Sequence, residues 1–188
     1  MVERVSPLAG LTGAGVSGLV GEAGPGVRLS TRTDLALWQV AAWPDTAAAV
    51  AAALGEAVGA PPPPPGEVSR GPRGALVRVS PLKWWVIDGP RPDVDAGLGV
   101  ALDLSHEQTP VRVEGRDAAA LLSRIVAVDL RDAAFPPEAF AATGGHHMML
   151  KLWRRGAERY EVFVMRSYAR ELWSALAASA RQFGLESA

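Results

Sequence analysis

The chain has 188 residues, with 19 Lys+Arg against 20 Asp+Glu, a formal net charge of −1 and a pI near 6.3. That balance excludes a generic polyanion binder, and the absence of cysteine excludes disulfides, thiolate metal sites and a cysteine nucleophile. A hydrophobic fraction of 48% is enough for a buried core in a chain of one-domain length.

From Gly10 to Gly26 there are seven glycines and few large side chains, so ordering this stretch costs backbone entropy for little apolar burial. Residues 1–33 are therefore expected to be a glycine-rich arm or loop, preceding a single α+β domain over 34–188. Within that domain, Leu35–Ala42 reads as a strand, and Asp45 is placed to cap an alanine-rich helix ending near Gly55 or Gly59. A proline-rich connector follows at 59–74, because consecutive prolines favour an extended, solvated backbone. Ala75–Val79 and Trp84–Asp88 then form a strand pair around Ser80-Pro81-Leu82-Lys83, completing a first half over 34–89.

The second half, 100–184, repeats the order. Val100–Leu104 and Val111–Glu114 read as strands and Gly115–Val126 as a helix with Ala119, Leu122 and Val126 turned inward. After Phe135-Pro136-Pro137 come strands His147–Trp153 and Arg159–Met165. Ser167 then caps a last helix, whose inner face is Leu172, Leu176, Ala180 and Phe183 and which Gly184 ends. The expected fold is two β-α-β-β halves whose antiparallel sheets are covered by helices, plus a C-terminal helix. The longest apolar run, Ala47–Leu54, is far below the roughly 20 residues of a membrane span, and no signal-peptide core is present, so a cytoplasmic protein is expected.

Three constellations invite a chemical reading. Gly13-Ala14-Gly15-Val16-Ser17-Gly18, with Asp34 downstream, matches the dinucleotide fingerprint in letters. Pyrophosphate binding needs a strand before it and a helix after it, which Pro7, Gly10, Gly21, Gly24 and Pro25 oppose. Ser105-His106-Glu107 collects hydroxyl, imidazole and carboxylate, but a catalytic triad converges from separate segments, and neighbouring strand residues point apart. His146-His147 lacks a third imidazole except His106. No catalytic, cofactor-binding or metal-binding residue is assigned on this chain.

What remains is a surface reading. Trp84 and Trp85 are adjacent, so on a regular strand one of them faces outward, where it either seats against a partner or is covered by the chain's own arm or helix. Basic charge is carried by arginine except at Lys83 and Lys151. Trp84, Trp85, His106, Arg112 and Arg166 are the candidate partner-interface residues.

The run Leu102-Asp103-Leu104-Ser105-His106 with Thr109, then Val111-Arg112-Val113-Glu114-Gly115, resembles the "D-x-S-H-x-x-T…R-x-x-G" stretch of the gamma subunit of heterotetrameric sarcosine oxidase. Further blocks are similar in order and spacing: Val128-Asp129-Leu130, Phe135-Pro136-Pro137, Thr143, and Val164-Met165-Arg166-Ser167-Tyr168-Ala169 with Leu172-Trp173. Ser80-Pro81-Leu82-Lys83-Trp84-Trp85 resembles the family's "G-P-x-x-W-L" turn, with Ser80 in place of its usual glycine. The resemblance spans Leu35 to Gly184, outside the glycine-rich arm, and departs from the family pattern at the proline run and Glu107.

The resemblance implies an aminomethyltransferase-like fold and a noncatalytic scaffold subunit of a bacterial complex. That complex oxidises sarcosine to glycine, passes a one-carbon unit to tetrahydrofolate or releases formaldehyde, and forms hydrogen peroxide. It further implies alpha, beta and delta partner subunits, alpha most directly, with FAD, FMN and NAD held by the larger ones and none on this chain. The alternative is a free-standing folate-binding or aminomethyltransferase-like protein, for which Trp84, Arg112 and Arg166 would be the folate contacts.

Overall fold

A computed structural model describes residues 5–188. In chain order its elements are β1 (Gly15–Ser17), β2 (Val27–Thr31), β3 (Leu37–Ala42), α1 (Ala47–Val58), β4 (Val68–Gly71), β5 (Gly74–Ser80), β6 (Lys83–Ile87) and β7 (Gly99–Asp103). They continue as β8 (Gln108–Glu114), α2 (Ala118–Leu122), β9 (Phe140–Gly145), β10 (Met148–Gly156), β11 (Arg159–Met165), α3 (Ala169–Ala180) and β12 (Leu185–Ser187). The fold is α+β, with few helices and two sheets whose pairings are antiparallel except for β12 beside β2.

The chain divides into two compact units. One comprises residues up to Thr33, Glu107–Pro137 and Ala141–Ala188; the other comprises Asp34–His106 and Glu138–Phe140.

The second unit carries a five-stranded sheet in the order β4-β5-β6-β3-β7. Val50, Leu54 and Val58 recur every four residues along α1 and lay one stripe against Val40, Ala42, Leu76, Trp84 and Val86 of that sheet. The helix ends where Gly59 takes φ 77°, a left-handed cap that a β-carbon would strain. Its first-turn cap position is Thr46, not Asp45, and the Thr46 hydroxyl donates to the Leu98 carbonyl (2.5 Å) in place of a helix amide. Strand β4 lies inside the stretch expected as a bare connector. β7, expected to open the second half, is an edge strand here, paired with β3. Strand periodicity identifies β7 as a strand but carries no information about which sheet it joins.

The first unit carries a seven-stranded sheet in the order β1-β12-β2-β8-β11-β10-β9. Its apolar face includes Leu29, Val111, Val113, Leu150, Leu152, Tyr160, Val162 and Val164, all buried. Helix α2 packs on β2 and on α3, and α3 also packs on β11. Leu172, Leu176 and Ala180 form the inner face of α3 as the spacing predicts. A 3-10 turn at Arg166–Tyr168 precedes that helix, so Tyr168, not Ser167, holds the cap position. Helix α2 is shorter than the predicted Gly115–Val126: after Leu122 the Ile125 and Val126 amides still bond to Leu122, but as a turn.

Of the stretch expected as an arm, residues 1–4 lie outside the described residues, and parts of 5–33 enter the core. Val27 and Leu29 are buried in the middle of a sheet, and Leu8 has no exposed surface. Sparse large side chains were the reason to expect looseness; Leu8, Val27 and Leu29 enter the core, while Val5, Leu11, Val16, Leu19 and Val20 stay exposed. No helix among the described residues is long and apolar enough to cross a membrane.

Candidate functional site

The glycine fingerprint is resolved by β1. Gly15–Ser17 pairs antiparallel with Leu185–Ser187, so the centre of the motif is strand and no helix follows it. Gly18 has φ 85°, and a β-carbon there would lie 2.1 Å from the Arg181 carbonyl oxygen. Its lack of a side chain admits a close backbone approach that the Leu19 amide fixes by donating to that carbonyl (2.7 Å).

Ser105, His106 and Glu107 lie in the tight turn between β7 and β8 and do not converge. The Ser105 hydroxyl accepts from the Leu37 amide (2.9 Å), while the Ser105 amide donates to the Asp103 carboxylate (2.9 Å), which makes this serine a clamp on β3. His106 is exposed. His146 and His147 form the two-residue turn of the β9–β10 hairpin, with φ 48° and 65° and rings 6.3 Å apart at 87°. Among the described residues no three His, Asp or Glu side chains are grouped to hold a metal.

The tryptophan expectation is corrected. Trp84 and Trp85 do point to opposite faces of β6, yet both are buried, at 3% and 1% exposure. Trp84 belongs to the α1 face, where the Arg78 guanidinium lies 5.3 Å from its ring. Trp85 meets Phe140 edge-on at 6.3 Å, and its indole nitrogen donates to the Gln39 amide oxygen (3.2 Å). Of the two outcomes open to the outward indole, a partner seat or cover by the chain itself, the second is present, supplied by a segment other than the arm or a helix. Residues 138–140, distant in sequence, lie on the second face, so neither indole offers a free surface.

Arg112 and Arg166 are likewise engaged within the first unit. Arg166 donates its amide to the Glu107 carbonyl and its guanidinium to the Val5 carbonyl, both at 2.6 Å. Arg112 is one of three guanidinium groups around Glu161, whose side chain has no exposed surface. The contacts are Arg155 at 2.6 Å, Arg32 at 3.2 Å and Arg112 at 3.8 Å. Strand register explains the gathering: Glu161 sits opposite Arg112 on β8 and Trp153 on β10, and Arg155 lies against the Trp153 ring at 4.3 Å. Arg154, on the other face, donates to the Phe135 carbonyl (2.7 Å) and Asp132 (2.6 Å), which anchors the Phe135-Pro136-Pro137 loop.

Two titratable groups in this unit are shifted. Burial lowers the Lys151 amine below the usual lysine range, against the pull of the Glu107 carboxylate. Burial raises the Tyr160 phenol, partly offset by Arg154.

The second unit has a cleft of about 440 Å³ along the edge of β7. Arg91, Asp93 and Val94 line one wall; Gly99, Val100 and Ala101 line the other. The Arg91 guanidinium also lies 5.6 Å from the Trp38 ring. Sequence reading identified the strand but none of these as site residues. The available signal was the alternation of Val100 and Leu102 with small residues, which also describes an ordinary half-buried strand. Of the five residues expected at an interface, Trp84 and Trp85 are buried within the second unit, His106 is exposed in the turn after β7, and Arg112 and Arg166 bond within the first unit.

No protein-family model and no curated protein matches the sequence. Among solved structures, the chain is similar to one from the heterotetrameric sarcosine oxidase of Corynebacterium sp. U-96 in complex with pyrrole 2-carboxylate. The two share 23% identity and a TM-score of 0.79, over 96% of both chains. It is also similar to the glycine cleavage system aminomethyltransferase T of Bartonella henselae, at 14% identity and a TM-score of 0.59; 98% of this chain then spans only 59% of the transferase. The fold is therefore that of a chain in the sarcosine oxidase heterotetramer, and it corresponds to part of an aminomethyltransferase.

Proposed function

We propose that this chain is the gamma subunit of a heterotetrameric sarcosine oxidase, a noncatalytic scaffold that seats chiefly against the alpha subunit. The observation that carries this reading is the end-to-end likeness to a chain of such an assembly, 96% of each, where the likeness to the free-standing transferase leaves much of the latter uncovered. On this reading the conversion of sarcosine to glycine, with the one-carbon unit passed to tetrahydrofolate or released as formaldehyde and with peroxide formed, takes place on the alpha and beta subunits. These hold the FAD, FMN and NAD. The contribution of this chain is shape, held rigid by two fully packed sheets.

The experiment is co-expression with the alpha, beta and delta subunits followed by affinity purification on alpha. A fixed one-to-one ratio of this chain to alpha is expected, with sarcosine turnover in the complex and none in the isolated chain. A chain that remains monomeric beside its partners, or that oxidises sarcosine alone, overturns the reading. Calorimetry of the isolated chain with tetrahydrofolate addresses the transferase-like alternative, and no heat of binding is expected.

A further inference from the structure

We infer that the outer edge of β7, with the cleft beside it, is where an extended segment of a partner subunit adds a strand to the five-stranded sheet; this rests on the subunit reading above.

The register of β3 fixes which way the β7 backbone points. The Trp43 amide donates to the Leu98 carbonyl and the Leu104 amide to the Leu37 carbonyl, so the even-numbered residues Val100 and Leu102 bond inward to β3. Ala101 therefore directs its N–H and C=O away from the sheet, into the cleft, where neither has a partner among the described residues. The edge at the other end of the sheet is managed differently. At β4 the Val68 amide donates to the Glu138 carbonyl (2.9 Å), the Phe140 amide to the Gly66 carbonyl (2.7 Å), and Arg70 pairs with Glu138. The chain itself closes that edge, whereas at β7 it takes only the Gly99 amide, which donates to the Asp95 carbonyl (3.1 Å), and leaves Ala101 open.

The side chains match the backbone. Val100 and Leu102 share one face of β7 and are 42% and 48% exposed, while Trp85, Leu37 and Ile87 of the same face are buried. Between Gly99 and Leu102 there is no lysine, glutamate or proline of the kind that guards edge strands. The occupant is thus specified chemically: an extended backbone whose amide and carbonyl meet Ala101, with aliphatic side chains at alternate positions over Val100 and Leu102. Its opposite margin passes between Arg91 and Asp93, which can take one acidic and one basic side chain. A partner segment is preferred to a second copy because the chain is similar, over 96% of its length, to one taken from a heterotetramer.

The test uses the co-expressed complex. Ala101→Pro removes only the outward N–H, leaving the ladder to β3 intact, and Val100→Lys/Leu102→Lys charges the exposed side chains without entering the core. Circular dichroism and the thermal transition of each purified variant verify folding. Each is expected to reduce the amount of this chain retained on alpha at least tenfold, and in the wild-type complex the Ala101 amide gains protection from hydrogen exchange. Folded variants retained as well as wild type overturn the strand addition while the subunit reading stands. Wild type that never joins the complex overturns both. A stable dimer of the isolated chain that Ala101→Pro abolishes assigns the edge to a second copy and overturns the partner segment.

Discussion

Glu161 illustrates how a charged residue becomes part of a core. Its carboxylate is removed from water on β11, and that cost is offset because register sets Arg112 across from it and brings Arg155 and Arg32 within reach. The guanidinium groups keep some contact with solvent, so removing the carboxylate leaves them under-compensated but not dry. Glu161→Gln is therefore expected to cost about 3 kcal/mol, toward the low end of buried-pair disruption, read as a lower urea midpoint at constant slope. An unchanged midpoint would mean that the arginines are as well solvated without their partner. Asp129 is the contrasting case, fully at the surface. Hydrogen bonds from the Arg131 side chain and amide hold its carboxyl down at about 2, against an ordinary 3.8. A depressed folded-state value means that the interaction is complete above about pH 4 and is lost as pH falls toward 2. Arg131→Gln should return the Asp129 midpoint toward 3.8 in a carboxyl-carbon NMR titration. Because the pair is exposed, global stability at pH 7 should move little.

At the scale of elements, the long periodic segments were legible and the short or glycine-bearing ones were not. Val50, Leu54 and Val58 announce α1, and the hairpin around Pro81 follows from turn chemistry. The three-residue strands β1 and β12 carry no alternation long enough to read, and β9 is built on Phe140-Ala-Ala-Thr-Gly-Gly, which lacks strand character. The burial of both Trp84 and Trp85 was illegible for a different reason: local spacing states that they diverge, whereas the covering of the second face depends on Phe140, more than fifty residues later. The open edge of β7 is of the same kind, since strand order, not strand sequence, decides it. Gly18 then makes a test of β1 as an element. Alanine there would have to accept φ 85° and a β-carbon inside the Arg181 carbonyl. Gly18→Ala is expected to release β1 from β12, losing hydrogen-exchange protection at Leu19 and Val16 while protection in β8 and β11 persists. Retained protection at Leu19 would show that the backbone accommodates the side chain by a local shift.

At the scale of the whole molecule, the order of strands turns a sequence that looks dispensable into one that is not. β2 lies between β12 and β8, so it bonds on both sides, parallel to β12 and antiparallel to β8. Deleting residues 1–33 would remove it together with the buried Leu8, Val27 and Leu29. The β8 edge would open to solvent, and β12 would lose both of its neighbours. Three sheet seams and three core side chains together exceed the margin by which a domain of this size stays folded, about 5–15 kcal/mol. The truncated chain, beginning at Asp34, is therefore expected to be insoluble or to lack a cooperative thermal transition, and addition of a peptide spanning residues 1–33 should restore one. A true arm would behave otherwise, since its loss leaves every seam closed. Should the truncated chain melt cooperatively at the temperature of the full chain, β2 would have no part in stability, and the seven-stranded sheet would be wrong at its centre.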